Sequence, residues 1–114
     1  MSHDLPDYRT ILLERRGRLL VMTLNRPDAL NAVNLDLHDE LPEALAFAGR
    51  DHGSDVVLLT GAGRAFSAGG DIAHMEHNAA NPHLFDHEAR QAKRIVSALL
   101  DIEKPVVCRM NGHA

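Results

Sequence analysis

The chain has 114 residues, of which 45% are hydrophobic and 25% charged, which predicts a single soluble globular domain at most. Its formal net charge of −4 provides no basic surface for nucleic acid or for an anionic membrane. No apolar run approaches the roughly 20 residues of a membrane span, and the N-terminus lacks the apolar core of a signal peptide. The sequence therefore favours a cytoplasmic protein.

The first predicted element is a β-hairpin. We expect residues 1–8 to be a disordered terminus. Residues 10–14 and 19–24 are rich in strand-forming side chains, and the Arg16-Gly17 pair between them is typical of a turn. Residues 25–33 contain Asn, Pro and Asp, which favour a loop.

A helix is predicted from Asn34, which is a good N-cap residue. Pro42 should kink or restart this helix, because proline removes one backbone hydrogen bond. Gly49 or Gly53 should end it. Its predicted apolar face consists of Leu37, Leu41, Leu45 and Ala48.

A later helix is predicted to start at Asn81-Pro82, as an N-cap followed by proline at the first position. Residues 78–81 before it resemble a polar, flexible link. The helix should end before Pro105. Its predicted apolar face consists of Phe85, Ala89, Ala92, Val96 and Leu99.

Two further strands are predicted, at residues 56–60 and 106–110. Both are short and rich in apolar residues, as buried strands are. The only cysteine, Cys108, is expected to be buried in the second of them. The alternation of strands and helices predicts an α/β fold with parallel strand pairing.

The stretch of residues 64–72 between these elements contains small residues and the adjacent glycines Gly69 and Gly70. A backbone without Cβ atoms can approach a ligand closely and direct N–H groups at it. Asp71 is a good N-cap for a short helix starting near Ile72. A strand, a glycine turn and a helix start together predict a pocket of backbone donors, such as an oxyanion hole.

The motifs of glycine turns with other chemical functions match this sequence less well. A dinucleotide-binding G-x-G-x-x-G motif would place glycine where Phe66 stands, and the Gly-Lys-Ser/Thr of a phosphate loop is absent. The esterase motif Gly-x-Ser-x-Gly around Ser67 has Ala65 at its first position. A turn without a side-chain nucleophile suits charge stabilisation at a thioester carbonyl.

Residues 25–32, Asn-Arg-Pro-Asp-Ala-Leu-Asn-Ala, resemble the Asn-Arg-Pro-x-x-x-Asn-Ala signature of the enoyl-CoA hydratase/isomerase (crotonase) superfamily. Residues 65–71 resemble its first oxyanion-hole segment, and residues 104–107 and 111–114 resemble the strand and turn that follow. The resemblance implies that residues 9–114 are the N-terminal part of a crotonase-like α/β domain, a spiral of repeated ββα units after an N-terminal hairpin.

The resemblance also implies an acyl-CoA-binding enzyme that stabilises a thioester enolate, with the coenzyme A thioester as substrate and no separate cofactor or metal. Gly70 would donate its backbone N–H to the thioester oxygen. Arg26 would face a phosphate of coenzyme A or only fix its own loop, and Ala68 would accept a hydrogen bond from the adenine amino group. The other implied contacts to coenzyme A are Ala29, Leu30, Gly69, Asp71 and Ile72.

The family pattern continues after Ala114 into a glycine-rich turn that supplies the second oxyanion N–H, followed by the acid–base glutamates. The resemblance is therefore to an N-terminal half, and we expect little or no hydratase turnover from these residues alone. The alternative is a catalytically inert, truncated chain that self-associates. Family members form trimers or hexamers, so a homo-oligomer is expected; the acyl group and the reaction are left open.

Four histidines, at positions 74, 77, 83 and 87, crowd into one part of the sequence. Their spacing could suit a metal on a helix face, although no His-Glu-x-x-His pattern accompanies them. A solvated surface is the favoured interpretation. The alternatives are an acid or base near the acyl group, supplied by His74 or His77, and a metal-binding module.

Overall fold

Four strands form one mixed sheet in the order β1-β2-β3-β4. Strands β1 (Ile11–Arg16) and β2 (Leu19–Leu24) pair antiparallel, which confirms the predicted hairpin. Strand β3 (Val56–Gly61) pairs parallel with β2, and β4 (Val106–Cys108) pairs parallel with β3. The predicted parallel pairing is therefore confirmed.

The structure, a computed structural model, describes residues 4–114. Residues 1–3 of the expected disordered terminus lie outside the described residues. Three α-helices occur in the described part: α1 (Leu35–Arg50), α2 (Ile72–Ala80) and α3 (Phe85–Asp101). Between residues 4 and 114 no helix combines the length and the apolar composition needed to cross a membrane.

The core lies between the sheet and α1. Leucine and alanine side chains of the predicted α1 face are buried against the strands, which confirms that face. Burial of this kind supplies the main driving force for folding. The buried core consists of Ile11, Leu20, Met22, Leu24, Leu37, Ala44, Leu45, Ala48 and Val57.

Helix α1 begins as predicted, because the Asn34 side chain accepts the Leu37 N–H at 3.0 Å. The predicted restart at Pro42 is wrong: the helix continues through this residue, which is buried in the core. The predicted end at a glycine is also wrong, since the helix ends at Arg50. Its last carbonyls are instead satisfied by Lys104, whose ammonium donates to the Ala48 carbonyl at 2.7 Å.

The segment before α3 differs from the prediction. Residues 72–80 form a full helix, α2, rather than a short helix followed by a flexible link. The Asn81 side chain donates to the His77 carbonyl at 2.9 Å instead of capping the next helix. A short 3₁₀ turn, Pro82–Leu84, therefore precedes α3, which begins at Phe85.

Helix α3 packs with a face other than the predicted one. Gln91 is its one buried residue, and Ile95 and Ala98 pack on the core beside it. The Gln91 amide donates to Asp39 of α1 at 3.0 Å, so a polar contact helps set the rotation of the helix. The predicted face is exposed, with Val96 at 56%.

The last strand is shorter than predicted, since β4 ends at Cys108. Cys108 is exposed, so its predicted burial is wrong. The reason is its position in the outermost strand of the sheet, which pairs with β3 alone among residues 4–114.

Candidate functional site

The candidate site is the turn that follows β3 at the carboxyl edge of the parallel strands. Gly61 ends the strand, and the turn folds back so closely that a Cβ atom on Gly61 would lie 2.6 Å from the Ala65 carbonyl oxygen and 2.7 Å from that of Phe66. Only glycine fits such a close approach of two backbone segments.

Replacing Gly61 by alanine should therefore destabilise the protein. We expect a loss of about 1–3 kcal/mol in the free energy of unfolding, because the turn must move to accept the methyl group. Urea unfolding of Gly61→Ala measures the loss. Gly49→Ala, within α1, is the matched control: its Cβ would make an ordinary 3.5 Å contact with the Ile102 side chain, and we expect a gain of about 0.4–1 kcal/mol. Equal effects of the two variants would contradict the close approach.

Asn31 joins the loop after β2 to this turn. Its side chain is fully buried, its amide oxygen accepts the Arg26 N–H at 2.7 Å, and its amide nitrogen donates to the carbonyls of Ala62 and Ala65, each at 2.9 Å. Its backbone φ of 56° lies in the left-handed region that asparagine tolerates better than most residues. One side chain thus holds two loops in a fixed relation.

Asn111 supports the turn from the other side. Its amide oxygen accepts the Gly61 N–H at 3.0 Å, and its amide nitrogen donates to the Gly63 carbonyl at 3.0 Å. The His113 carbonyl accepts the N–H groups of Phe66 at 2.8 Å and Ser67 at 3.1 Å. Residues 111–114 therefore flank the site.

Gly70 presents an unused backbone donor. The carbonyl of Gly69 accepts the Val33 N–H at 2.7 Å, and the Asp71 N–H donates to the Val33 carbonyl at 3.0 Å, so both neighbours of Gly70 are held. Within residues 4–114 no acceptor receives the Gly70 N–H, and the residue is exposed. A fixed and open N–H group is what a backbone anion site requires.

Ser67 shapes the turn. Its hydroxyl donates to the Asn31 carbonyl at 3.0 Å and accepts the Gly69 N–H at 3.2 Å. Because Gly69 has a φ of +90°, this bond holds a conformation that glycine adopts readily. The hydroxyl therefore has a structural role in the turn.

Asp71 caps α2 as predicted, since one carboxylate oxygen accepts the His74 N–H at 3.0 Å. The other oxygen accepts from Arg26 Nη1 at 3.2 Å. The His74 N–H, together with Arg26, holds the pKa of this carboxyl below its ordinary value. Arg26 Nη1 also donates to the Ala32 carbonyl. This nitrogen therefore links the loop after β2 to Asp71, the N-cap of α2. The contact of Arg26 with a phosphate of coenzyme A stays a prediction.

The remaining predicted residues lie in the turn, at the start of α2 and in the loop after β2. The Ala68 N–H donates to the Leu30 carbonyl at 2.9 Å, which places the loop after β2 beside the turn. No donor within the described residues reaches the Ala68 carbonyl. Ile72 is 69% exposed at the start of α2, and Ala29 lies in the 3₁₀ turn of the loop. Hydrogen bonds thus hold the loop after β2 against the turn, while the contacts of these residues with coenzyme A stay predictions.

The crowded histidines separate in space. His74 on α2 contacts Glu88 on α3, whereas the His87 ring lies 2.9 Å from Asp39 on α1. No three His, Cys, Asp or Glu side chains converge as metal ligands in the part of the chain that is described. Sequence reasoning missed Glu88, since nothing local links it to a histidine on the preceding helix.

A separate groove lies away from this turn. It has a volume of about 580 Å³ and runs between α1 and α3, beside Leu45 and Ala98. None of residues 62–71 lines it. The free backbone donor, rather than the size of the groove, therefore locates the candidate site.

Comparison with known proteins identifies the family of the chain. The sequence profile described as enoyl-CoA hydratase/isomerase matches residues 14–114. The chain belongs to the enoyl-CoA hydratase/isomerase family. A crystal structure of an enoyl-CoA hydratase/isomerase from Mycobacterium paratuberculosis superposes with a TM-score of 0.88 at 39% identity, covering 94% of this chain and 43% of that one. The crotonase-like α/β fold is thereby confirmed.

Two curated relatives have names of different kinds. A crotonyl-CoA hydratase of Syntrophomonas wolfei is 35% identical over 109 residues, which cover 94% of this chain and 41% of the relative. The small ribosomal subunit protein mS47 of Schizosaccharomyces pombe is 36% identical over 105 residues, which cover 90% of this chain and 24% of that protein. The chain thus spans less than half the length of these relatives.

Proposed function

We propose that this member of the enoyl-CoA hydratase/isomerase family binds an acyl-CoA thioester, with the Gly70 N–H as a donor to the thioester carbonyl. The observation that carries the proposal is the exposed Gly70 N–H, which has no acceptor within residues 4–114 and whose two neighbours are both hydrogen-bonded to Val33. Such a donor is pre-oriented, so it needs no reorganisation when charge develops on the oxygen.

The chemistry follows from that donor. Loss of a proton from the carbon next to the carbonyl leaves an electron pair that moves to the thioester oxygen as an enolate, and the Gly70 N–H stabilises the charge. One missing oxyanion donor typically costs about 10²–10³ in rate. With Gly70 as its one proposed donor, the chain on its own should show little or no hydratase turnover.

Residues of the turn and of the loop after β2 are the proposed contacts for the coenzyme A part of the ligand. The open Ala68 carbonyl is the proposed acceptor for the adenine amino group. Arg26 lies 21% exposed beside Asp71, where it could add charge near a phosphate while holding the loop. We propose no cofactor other than the thioester substrate itself.

Adding butyryl-CoA to ¹⁵N-labelled protein should move the Gly70 amide resonance downfield, because its N–H gains a carbonyl acceptor. The Gly69 resonance should move less, since its N–H is already bonded to the Ser67 hydroxyl. A ¹H–¹⁵N correlation spectrum recorded during the titration measures both shifts.

Free coenzyme A is the control for this titration, because it lacks the thioester carbonyl. We expect it to perturb residues 26–30 and 68 while leaving the Gly70 resonance close to its position in the unliganded protein. An unchanged Gly70 resonance at saturating butyryl-CoA would refute the proposed donor.

A second proposal, a catalytically inert, self-associating chain, is favoured by one observation. Large apolar side chains lie exposed on α3 and on the open strand, including Phe85 at 68%, Leu100 at 80% and Val107 at 51%. Contiguous exposed apolar surface commonly marks an interface. Light scattering across a concentration series tests for a homo-oligomer, and a monomer throughout the series would count against this proposal.

A further inference from the structure

A histidine–glutamate pair connects α2 to α3 beside the candidate site. The Nε2 atom of His74 contacts one carboxylate oxygen of Glu88, and the Asn78 amide donates to the other oxygen. The side chains of His74 and Glu88 are 13% and 20% exposed. Both oxygens of Glu88 are thus engaged, which fixes the carboxylate against the ring.

The contact with Glu88 selects a tautomer of the neutral imidazole. A carboxylate only accepts, so the proton lies on Nε2 and leaves the Nδ1 lone pair free. Within residues 4–114 the only buried side-chain nitrogen or oxygen without a partner is His38 Nδ1. The Nδ1 atom of His74 makes no hydrogen bond within these residues and is not one of their fully buried atoms, so its lone pair can accept a proton.

The start of α2 ties the backbone of His74 to the residue after Gly70. The His74 N–H donates to Asp71, the residue directly after Gly70. The next residue, Met75, packs on the turn, with its sulfur 3.0 Å from where a Cβ atom on Gly70 would lie. Met75 and Ile72 are 53% and 69% exposed, so they offer apolar surface to an acyl chain on this helix.

We propose that His74, oriented by Glu88, is the base that removes the proton next to the carbonyl of a thioester bound at Gly70. This assignment rests on the proposed function. The C–H bond breaks, its electron pair becomes the enolate held by the Gly70 N–H, and the proton moves to Nδ1 of His74. Glu88 stabilises the imidazolium that forms, and return of a proton from Nδ1 regenerates the thioester. His74 is the catalytic residue and Glu88 its positioning residue.

The charged groups around the ring suit this role. Glu88 faces it from α3, and the carboxylate of Asp71 lies before it on its own helix, balanced by Arg26 at 3.2 Å. The other nearby histidine, His77, is exposed and contacts Asn81 rather than a carboxylate. The structure thus distinguishes His74 from His77.

The test follows deuterium entry at the carbon next to the carbonyl of butyryl-CoA in D₂O, by proton NMR, with the whole chain present. Enolate formation and return exchanges this hydrogen without needing hydration. We expect the rate of deuterium exchange to be about 10²-fold lower or more in His74→Gln than in the unmodified protein, because the loss of a general base commonly has an effect of this size. The matched control His77→Gln should exchange at the rate of the unmodified protein.

Glu88→Gln separates positioning from a purely structural role. It should lower the exchange rate, and Glu88→Asp should restore part of that rate, because a carboxylate can again accept the Nε2 proton of the ring. Equal exchange rates in Glu88→Asp and Glu88→Gln would contradict the positioning role.

Carbethoxylation by diethyl pyrocarbonate, mapped by peptide mass, gives a readout independent of turnover. Butyryl-CoA at ten times its dissociation constant should slow modification of His74 about tenfold by mass action, and leave His77 unchanged. Free coenzyme A should protect His74 less than the thioester does.

The outcomes are distinguishable. A shifted Gly70 resonance with exchange that depends on His74 supports both proposals. Two outcomes overturn the role of His74 but leave thioester binding intact. In both, the Gly70 resonance shifts; in one there is no deuterium exchange, and in the other His74→Gln leaves the exchange rate unchanged. An unshifted Gly70 resonance overturns both.

Discussion

Asn31→Ala is expected to lower the free energy of unfolding by about 3–4 kcal/mol. The variant leaves the part-buried Arg26 N–H and Ala62 carbonyl without their hydrogen-bond partner. Alanine must also adopt the φ of 56° that residue 31 has in this structure, which costs about 1 kcal/mol of that total. Urea unfolding at neutral pH measures the loss.

Two variants serve as controls. Asn34→Ala removes one capping hydrogen bond, to Leu37, and should cost about 1 kcal/mol. Asn31→Gly removes the same hydrogen bonds as alanine but tolerates the left-handed backbone, so it should be less harmful than alanine by about 1 kcal/mol. If Asn31→Ala were no more destabilising than Asn34→Ala, the bridging role of Asn31 would be wrong.

Stability is expected to fall as the pH drops below about 4, the ordinary pKa of an aspartate. Asp51 has a side chain only 4% exposed and accepts hydrogen bonds from the Arg15 guanidinium, the Ser54 hydroxyl at 2.7 Å and the Gly53 N–H at 3.1 Å. Arg15 foremost holds the pKa of this carboxyl well below its ordinary value.

The direction of this pH dependence follows from the linkage between proton binding and folding. The folded state binds a proton at Asp51 less readily than the unfolded chain does, so the stabilisation is complete above the unfolded pKa and is lost as the pH falls towards the folded one. Arg18 and Asp55 act in the same direction, because the pKa of Asp55 is also lowered. Urea midpoints measured between pH 6 and pH 2 should therefore decline.

Asp51→Asn tests the contribution of this carboxylate. We expect the variant to be less stable than the unmodified protein at pH 6 and to lose less stability towards pH 2, so that the two curves converge. Asp101→Asn, at an exposed position of α3, should follow the unmodified curve. Parallel curves for Asp51→Asn and the unmodified protein would contradict the assignment.

Only part of the candidate site could be predicted from the sequence. The glycine turn, the cap at Asp71 and the four family segments were visible as residue types in a fixed order. The network that holds the turn was not, because Asn31 bonds to the Ala65 carbonyl across 34 residues and Asn111 to the Gly63 carbonyl across 48. Their residue types alone do not indicate those partners.

The sequence by itself determined the hairpin, the starts of α1 and α2, and family membership. Each depends on short-range chemistry: strand-forming residues around the Arg16-Gly17 turn, and the side chains of Asn34 and Asp71 accepting N–H groups three residues on. Such interactions are complete within a few positions of the chain. They therefore leave a local signal.

Only the tertiary structure decided which face of α3 is buried, that Cys108 is exposed, and that His74 pairs with Glu88. Helix α3 carries more than one apolar stripe, and the stripe that packs is selected by contacts with α1 such as Gln91 to Asp39. Helical periodicity gives the angle between side chains but not the direction of the neighbouring helix. The rotation of a helix and the pairing of distant charges are settled by packing.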